Sequence, residues 1–298
     1  MTEPSVRTVD PSTVLLGNSP VMHHVREQIA TLAALPWHVR IEGPSGTGKS
    51  VAARLLHALS QRAQAAFILC SLASVPDSTA IGELVGYRRG AFTGAYDNHA
   101  GKFEAAHGGT LFLDEVGTAG PEVQRALLQF VDTGIVQRMG DIRERPVDAR
   151  LIFATNEDLP VLVSEGKFRT DLYYRMGQLV VQLPPLAEHL EDLPALLDHL
   201  LRVKAFQAGV PAPRLSPADF ERLQGYHWPG NVRELAGVAE QVVVFGQIPD
   251  SFAHRPISRS WREQIPDVLR QCGGNRAAAA RFLGVSRQSL HRALQQEA

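Results

Sequence analysis

Three short apolar runs lie in the first 160 residues, and each is followed by a polar or glycine-rich segment. The runs are residues 37–42, 108–113 and 149–154. Between them lie stretches whose apolar residues are spaced as in a helix, such as 51–60. Continuous apolar runs are typical of strands buried in a parallel sheet. This alternation predicts an α/β fold with a doubly wound, mostly parallel sheet, whose ligand binds at the carboxyl ends of the strands.

The first run leads into a segment that matches the pattern G-x-x-x-x-G-K-[ST] and then into a predicted helix. Its residues are Gly43, Pro44, Ser45, Gly46, Thr47, Gly48, Lys49 and Ser50. In this setting the backbone N–H groups of the loop surround phosphate oxygens at the positive end of the helix. We expect Lys49 to contact the β- and γ-phosphates and Ser50 to bind Mg²⁺. The segment predicts binding of a nucleoside triphosphate, here ATP.

The second and third runs end in residues that suit the same chemistry. The second run is followed by Asp114 and Glu115, and the third by Thr155 and Asn156. We expect Asp114 to complete the Mg²⁺ shell and Glu115 to polarise the attacking water, because phosphoryl transfer depends on positioning and charge neutralisation. Asn156 is a candidate sensor of the γ-phosphate. Taken alone, these residues could also be capping or turn residues at strand ends.

Composition excludes several classes of protein. Of the 298 residues 44% are hydrophobic and 20% charged, and no apolar run approaches a membrane span. The chain has two cysteines far apart and eleven histidines without paired metal-ligand spacing, which argues against a disulfide framework or a metal cage. The N-terminal residues do not resemble a secretory signal. We therefore expect a cytoplasmic protein without a membrane contact.

Charge is distributed unevenly along the chain. The formal net charge is −1, yet residues 251–298 carry eight arginines against three acidic residues. A basic tail on an acidic body suggests nucleic-acid contact at one end; a solvated arginine-rich helix face is the alternative. Gly273, Gly274 and Asn275 predict a helix stop and an N-cap before a helix over 276–283, a turn and a second helix over 286–296. The small core predicted between these helices comprises Ala279, Phe282, Val285, Leu290 and Leu294.

Seven motifs in order along the chain resemble those of the AAA+ activators of sigma-54 RNA polymerase. They are GPSGTGKS, GAFTGA, GGTLFLDE, FATNEDL, GKFRTDLYYR, WPGNVREL and a Fis-type tail, GGNRAAAARFLGVSRQSLHRAL. The first six lie within residues 14–248. GAFTGA between the two nucleotide motifs is the most specific of them. The resemblance implies an AAA+ P-loop NTPase with a parallel sheet, a small α-helical lid subdomain and a C-terminal all-α helix-turn-helix domain.

The resemblance also assigns roles to individual residues. Arg169 and Arg175 correspond to arginine fingers that reach ATP on a neighbouring subunit of a ring, usually a hexamer, and Arg233 to a nucleotide-sensing lid arginine. The segment implied to contact sigma-54 is Gly90, Ala91, Phe92, Thr93, Gly94 and Ala95. The residues implied to read upstream promoter DNA, from an early position on a recognition helix, are Ser286, Arg287, Gln288, Ser289, His291 and Arg292. A helical dimerisation hairpin without DNA is the alternative for the tail.

Three departures from the family pattern bear on the mechanism. Pro44 and Ser50 stand where the family usually has acids. Ser71 stands at a position that is usually asparagine, a residue that pairs with the catalytic acid and gates hydrolysis. Arg88 and Arg89 replace a more acidic approach to GAFTGA. Ser71 puts the coupling of hydrolysis in question rather than nucleotide binding.

The sequence thus predicts an N-terminal tail (1–13), an AAA+ α/β subdomain (14–185), a helical lid (186–248), a linker (249–260) and a helix-turn-helix domain (261–298). We expect an ATP-hydrolysing activator that forms a homo-oligomeric or mixed ring and remodels the sigma-54 polymerase closed complex. The short N-terminal tail leaves no room for a regulatory domain, so a separate protein acting in trans is a candidate regulator. The alternatives are a hydrolysis-impaired DNA-binding subunit of a mixed ring and a different AAA+ remodeller.

Overall fold

The structure is a computed structural model that describes residues 15–74, 77–249 and, in the tail, 265–266, 268–270, 272–283, 285, 290 and 294. The chain divides into two compact units. Of the described residues, the sheet unit comprises Leu15 and those within Arg26–Glu42 and Lys49–Gln182. The helical unit comprises Leu16–Val25, Gly43–Gly48 and the described residues from Leu183 onward.

All described strands belong to the sheet unit. They are β1 (Val39–Glu42), β2 (Phe67–Ser71), β3 (Gly86–Tyr87), β4 (His99–Ala100), β5 (Thr110–Asp114), β6 (Ile135–Gln137), β7 (Glu144–Pro146), β8 (Arg150–Thr155) and β9 (Val180–Gln182). Five of them form one sheet in the order β2-β5-β8-β1-β9, and every pair in it is parallel. β3 pairs with β4, and β6 with β7, as short antiparallel hairpins. The predicted parallel α/β sheet is confirmed.

The apolar runs become the centre of this sheet. β5 and β8 are interior strands, and residues Thr110–Leu113 and all six residues of β8 are buried. Because every residue of β8 is buried, the side chains on both of its faces must be apolar or paired. Arg150 is the paired case: its buried guanidinium donates to the backbone oxygens of Leu32, Ala33 and Trp37 at 2.7–3.2 Å.

Seven helices of the described residues lie wholly or partly in the sheet unit. They are α1 (Pro20–Ala33), α2 (Lys49–Ala58), α3 (Asp77–Val85), α4 (Lys102–Ala105), α5 (Pro121–Thr133), α6 (Leu159–Ser164) and α7 (Thr170–Arg175). α5 packs against α3 and α7. Its buried face includes Leu127 and Phe130, and the Phe130 ring stacks on Phe103 with centroids 4.1 Å apart. The buried face of α5 is therefore part of the core on which α7 rests.

The helical unit has a core of its own around Trp228. Its helices are α8 (Leu193–Ala208), α9 (Pro217–Gln224), α10 (Asn231–Phe245) and, in the tail, α11 (Arg276–Leu283). α8 packs along α10, and Trp228 is fully buried and donates its indole N–H to Leu223 O. The buried carboxylate of Asp192 accepts hydrogen bonds from the Ser19 backbone and hydroxyl and contacts His189 Nδ1 at 3.0 Å. These bonds offset the cost of burying that carboxylate.

The tail confirms part of its sequence prediction. Asn275 caps α11 by accepting from the N–H groups of Ala277 and Ala278 at 3.0 and 3.1 Å. A separate apolar cluster contains the predicted core residues Ala279, Val285, Leu290 and Leu294, together with Ile265, Val268, Ala280 and Leu283. The prediction for Phe282 was wrong, because this side chain is 67% exposed. Residues 279, 280 and 283 share one face of the helix, and residue 282 lies on another.

Within the described parts of the chain, no helix combines the length and the apolar character that a membrane crossing requires.

Candidate nucleotide and partner sites

The phosphate segment is hydrogen-bonded to the start of α10, within the helical unit. Asn231 Nδ2 donates to Ser45 O at 2.9 Å, and Arg233 Nη1 donates to Ser45 Oγ at 2.7 Å. The backbone N–H of Arg233 donates to Gly46 O at 3.3 Å. A cavity of about 370 Å³ is lined here by Ser45, Arg233, Pro229, Gly230 and Glu234. The predicted sensor Arg233 therefore lies beside the predicted phosphate loop.

Asn231 is a residue whose role the sequence analysis missed. It is fully buried, and its Oδ1 accepts from Leu186 N–H at 2.8 Å while its Nδ2 binds Ser45 O. Its φ of 52° lies in the left-handed region, which asparagine tolerates better than most residues. The Asn231 amide thus joins two segments that are distant in the chain, at Leu186 and at Ser45.

The sheet unit brings the predicted catalytic side chains together. Lys49, 6% exposed at the start of α2, has its Nζ 4.0 Å from Glu115 Oε1. Glu115 follows β5 with φ 57°, and its N–H donates to Asp114 Oδ1 at 3.1 Å. Burial raises the pKa of Glu115, and the Lys49 ammonium opposes that shift. Among the described residues, Glu115 Oε2 has no hydrogen-bond partner although it is buried.

These residues also suit a magnesium–nucleotide complex. Mg²⁺ prefers oxygen ligands and is usually held by one or two protein groups together with substrate phosphates. Ser50 and Asp114 offer a hydroxyl and a carboxylate at the start of α2 and the end of β5. Glu115 Oε2 is buried and has no hydrogen-bond partner among the described residues, which suits a carboxylate that accepts a hydrogen bond from a water molecule or a ligand.

Two other predicted polar positions lie near this edge of the sheet. β2 and β5 are paired with Ser71 opposite Asp114. Asn156 directly follows β8, whose neighbours in the sheet are β5 and β1, and its backbone N–H stabilises the Glu115 carboxylate. The Asn156 side chain itself is exposed. Ser71, Asp114, Glu115 and Asn156 thus cluster at the carboxyl ends of neighbouring strands.

The two predicted arginine fingers flank α7 on the surface of the sheet unit. Arg169 is the N-cap residue of α7, and its guanidinium makes a two-point ion pair with Asp171 at 2.7 and 2.9 Å. Arg175 ends α7, and its Nε lies 3.2 Å from Asp132 Oδ1. Both side chains are exposed, 44% for Arg169 and 64% for Arg175. Each is held by a carboxylate yet accessible to a partner.

GAFTGA forms the tip of the hairpin of β3 and β4. The tip is closed by hydrogen bonds from Gly90 N–H to Ala95 O at 2.8 Å and from Ala95 N–H to Phe92 O at 3.0 Å. Gly90 and Gly94 have φ values of 83° and 103°, a region that disfavours side chains. Phe92 is 44% exposed, and its ring meets Tyr87 edge-on with centroids 5.0 Å apart. The two glycines thus give the tip its shape, and Phe92 remains accessible on it.

The residues predicted to read DNA lie outside the described residues. They are Ser286, Arg287, Gln288, Ser289, His291 and Arg292. The described part of the tail contains α11 and its apolar cluster.

Comparison with protein families matches three consecutive parts of the chain. Residues 15–182 match the Sigma-54 interaction domain, residues 187–252 the AAA+ ATPase lid domain, and residues 262–296 the bacterial regulatory protein, Fis family. The first of these matches alone covers more than half of the chain. The fold is therefore that of an AAA+ P-loop NTPase with a helical lid and a Fis-type helix-turn-helix, as predicted.

Known proteins are similar over nearly the whole chain. The transcriptional regulatory protein ZraR of Salmonella typhimurium is 39% identical over 93% of this chain and 67% of its own length, and the DNA-binding transcriptional regulator NtrC of Escherichia coli is 35% identical over 98% and 72%. The crystal structure of Brucella abortus NtrX in complex with ATP is 30% identical, with a TM-score of 0.76 over 95% of this chain and 69% of that one. The chain spans about two thirds of the length of these relatives. It belongs to the family of sigma-54-dependent transcriptional activators, with an ATP-binding AAA+ domain and a Fis-type DNA-binding domain.

Proposed function

We propose that this protein hydrolyses ATP in an oligomeric ring and uses the GAFTGA loop to remodel the closed complex of sigma-54 RNA polymerase. The observation that carries the proposal is the accessible Phe92 at the tip of a glycine-shaped hairpin, in the same unit as Lys49 and Glu115. An exposed aromatic side chain on a loop is suited to a partner contact. Loops of this kind change position with nucleotide state in other switches.

Within one subunit, a few side chains have separate roles in ATP hydrolysis. Lys49 and the N–H groups of residues 43–48 hold the phosphates, and Arg233 senses the nucleotide from α10. Ser50 and Asp114 hold Mg²⁺, which when bound neutralises charge on the phosphates. Glu115 accepts a hydrogen bond from the attacking water, and Asn156 lies beside the γ-phosphate. The raised pKa of Glu115 reflects a carboxylate kept partly from water, where it is a stronger acceptor.

A second subunit completes the site. Arg169 and Arg175 are exposed on α7, and in the family such residues act across a subunit interface. A finger supplied in trans contributes about 10³–10⁵ in rate in other phosphoryl-transfer systems. We propose a hexameric ring, homo-oligomeric or mixed, in which the guanidinium of Arg169 exchanges Asp171 for the γ-phosphate of the neighbour.

The C-terminal tail directs the protein to its site on DNA. The Fis-type domain, with its excess of arginine, binds upstream promoter DNA through residues 286–289, 291 and 292. We retain the division into an AAA+ α/β subdomain (14–185), a lid (186–248), a linker (249–260) and a DNA-binding domain (261–298). We also propose that a separate protein acting in trans regulates the activator.

Phe92→Ala and Thr93→Ala test the proposal, with Tyr96→Ala as the matched control. Tyr96 is an 82% exposed aromatic residue just beyond the GAFTGA segment. We expect ATP hydrolysis within about twofold of wild type in all three variants. Open-complex formation at a sigma-54 promoter should fall at least about 30-fold in the first two, the size of an interface hot spot. Normal activation by either variant would overturn the sigma contact.

A further inference from the structure

Gln124 on α5 is a buried amide with all its hydrogen-bonding directed at backbone groups. Its side chain is 2% exposed. Nε2 donates to Ala119 O at 2.8 Å and to Lys167 O at 3.0 Å, and Oε1 accepts from Arg169 N–H at 2.9 Å. A buried amide with two donors and one acceptor in use is costly to remove, because the buried backbone groups that it serves would be left without partners.

The backbone groups bonded to this amide belong to two segments that have different roles in the proposed mechanism. Ala119 closes the short helical turn Val116–Thr118, which directly follows Glu115. Lys167 and Arg169 form the approach to α7, with Arg169 as its N-cap. Gln124 therefore connects the segment after the subunit's own catalytic acid with the segment that carries the finger.

The Arg169 side chain is exposed, so its own contacts do not fix the backbone from which it extends. Its ion pair with Asp171 is local and solvent-exposed, and such pairs contribute little to position. Phe168, the residue before Arg169, is 2% exposed and anchors the chain in the core. The Gln124 bonds to Lys167 O and Arg169 N–H set the backbone on both sides of that anchor.

We propose that Gln124 is a positioning residue for the arginine finger, and that it acts on hydrolysis in the neighbouring subunit through the backbone of residues 167–169. The inference rests on the proposed trans role of Arg169. A displacement of about 1 Å in a catalytic group can cost about 10²-fold in rate. Loss of the amide therefore lowers kcat for ATP hydrolysis in the neighbouring subunit and leaves nucleotide binding by the subunit itself unchanged.

Gln124→Met tests this by keeping the side-chain length and removing the three hydrogen bonds. Gln129→Met is the matched control, since Gln129 is an exposed glutamine on the same helix. We expect Gln124→Met to lower kcat for ATP about 10- to 100-fold, with ATP affinity by direct binding unchanged within about twofold. Gln129→Met should match wild type. Gln124→Asn, a milder change that retracts the amide, should show the same separation with a smaller loss.

Mixed rings separate a finger defect from a defect in the subunit's own site. Glu115→Gln subunits are expected to bind ATP without hydrolysing it and to present an intact finger. An excess of them should restore hydrolysis per Gln124→Met subunit at least fivefold, because each defective finger is replaced by a neighbour's sound one. Arg169→Ala mixed with Glu115→Gln is the reference pair.

The outcomes divide cleanly. Rescue of both pairs supports the inference. Rescue of the Arg169→Ala pair without rescue of Gln124→Met would show that Gln124 acts on its own site and would overturn the inference alone. Failure of the reference pair would overturn the trans finger itself, and the inference with it. Unchanged kcat in folded Gln124→Met, checked by its melting temperature, would also overturn the inference.

Discussion

Arg88 at the base of the GAFTGA loop faces Asp141 at the turn of the β6–β7 hairpin, with Nη1 and Oδ1 3.4 Å apart. Asp141 also accepts from Arg145 Nη2 at 2.6 Å, and this hydrogen bond lowers its pKa to about 2. The carboxylate is therefore charged throughout the working pH range. Backbone bonds join the same segments, from Arg88 N–H to Met139 O and from Met139 N–H to Gly86 O. The β6–β7 hairpin thus supports the base of the loop.

Reversing the charge of Arg88 should loosen this support. In Arg88→Glu, two carboxylates face each other across the contact. The Arg88 side chain is 57% exposed, and Asp141, which is 5% exposed, keeps its shorter bond to Arg145, so the pair with Arg88 is weak. We therefore expect hydrogen exchange over residues 86–96 to accelerate by up to about fivefold, with ATP hydrolysis near wild type. Arg89→Glu is the control, as its backbone N–H, bound to Asn98 Oδ1, is not altered by the substitution. Equal exchange in both variants would show that the ion pair does not hold the loop.

Ser71→Asn should lower basal hydrolysis. Position 71 lies opposite Asp114, and Glu115 Oε2 is a buried acceptor without a partner among the described residues. A side-chain amide at 71 would offer that oxygen a donor and compete with the water. A neutral hydrogen bond contributes about 0.5–1.5 kcal/mol, so we expect kcat to fall about 2- to 13-fold and ATP affinity to stay constant. The test measures kcat and ATP affinity of Ser71→Asn and wild type, each with and without the sigma factor. If the two proteins agree in every one of these values, residue 71 has no part in the coupling of hydrolysis.

Turnover per subunit should rise with protein concentration. Arg169 and Arg175 are exposed and act, in our proposal, on a neighbour's ATP. Dilution should therefore lower specific ATPase activity in step with dissociation of the oligomer, which sedimentation velocity reports at the same concentrations. Arg169→Ala should be inactive at every concentration. A monomer with constant specific activity would rule out the shared site.

Stability should fall as the pH drops through the range of His38. Burial, reinforced by Arg150 and Arg62, lowers the pKa of His38 from 6.5 to about 4. Its Nδ1 accepts from Leu151 N–H at 3.2 Å, which requires the neutral ring. Between about pH 6.5 and 4 the unfolded chain binds the extra proton, so the free energy of unfolding decreases by up to about 3 kcal/mol toward pH 4.

His38→Asn is the comparison for this effect. Asn Oδ1 can accept the same N–H but does not titrate. Denaturant unfolding from pH 7 to 4 should give a shallower loss of stability in the variant. Some slope should remain, because burial also lowers the pKa of His57. An unchanged slope would contradict the assignment to His38.

Much of the sheet could be predicted from the sequence, because a strand buried on both faces leaves a continuous apolar run. β5 and β8 appear where Leu111 and Phe153 indicated them. The first strand is shorter than predicted, since Trp37 is 60% exposed and precedes Val39. Phe282 was misplaced because, in an alanine-rich helix, a lone aromatic residue is taken as core when small residues in fact line the buried face.

The missed residues are those whose partners are distant in the chain. Asn231 binds Ser45 O across 186 positions, and Gln124 binds Arg169 N–H across 45. No periodicity or motif spacing encodes such contacts, since a single amide within a helical pattern looks like a surface residue. A buried amide is recognisable only once the fold shows which backbone groups would otherwise lack partners.

The bonds from Asn231 and Arg233 to the phosphate segment have a consequence for recombining domains within this family. The sequence between the Sigma-54 interaction domain and the lid, near residues 183–186, looks like a natural place to join parts of two relatives. Yet residues 43–48 pack with the helical unit, so a lid grafted there would meet a foreign Ser45 and Gly46. A chimera designed on the hydrogen bonds would carry residues 43–48 with the lid, as one inherited piece.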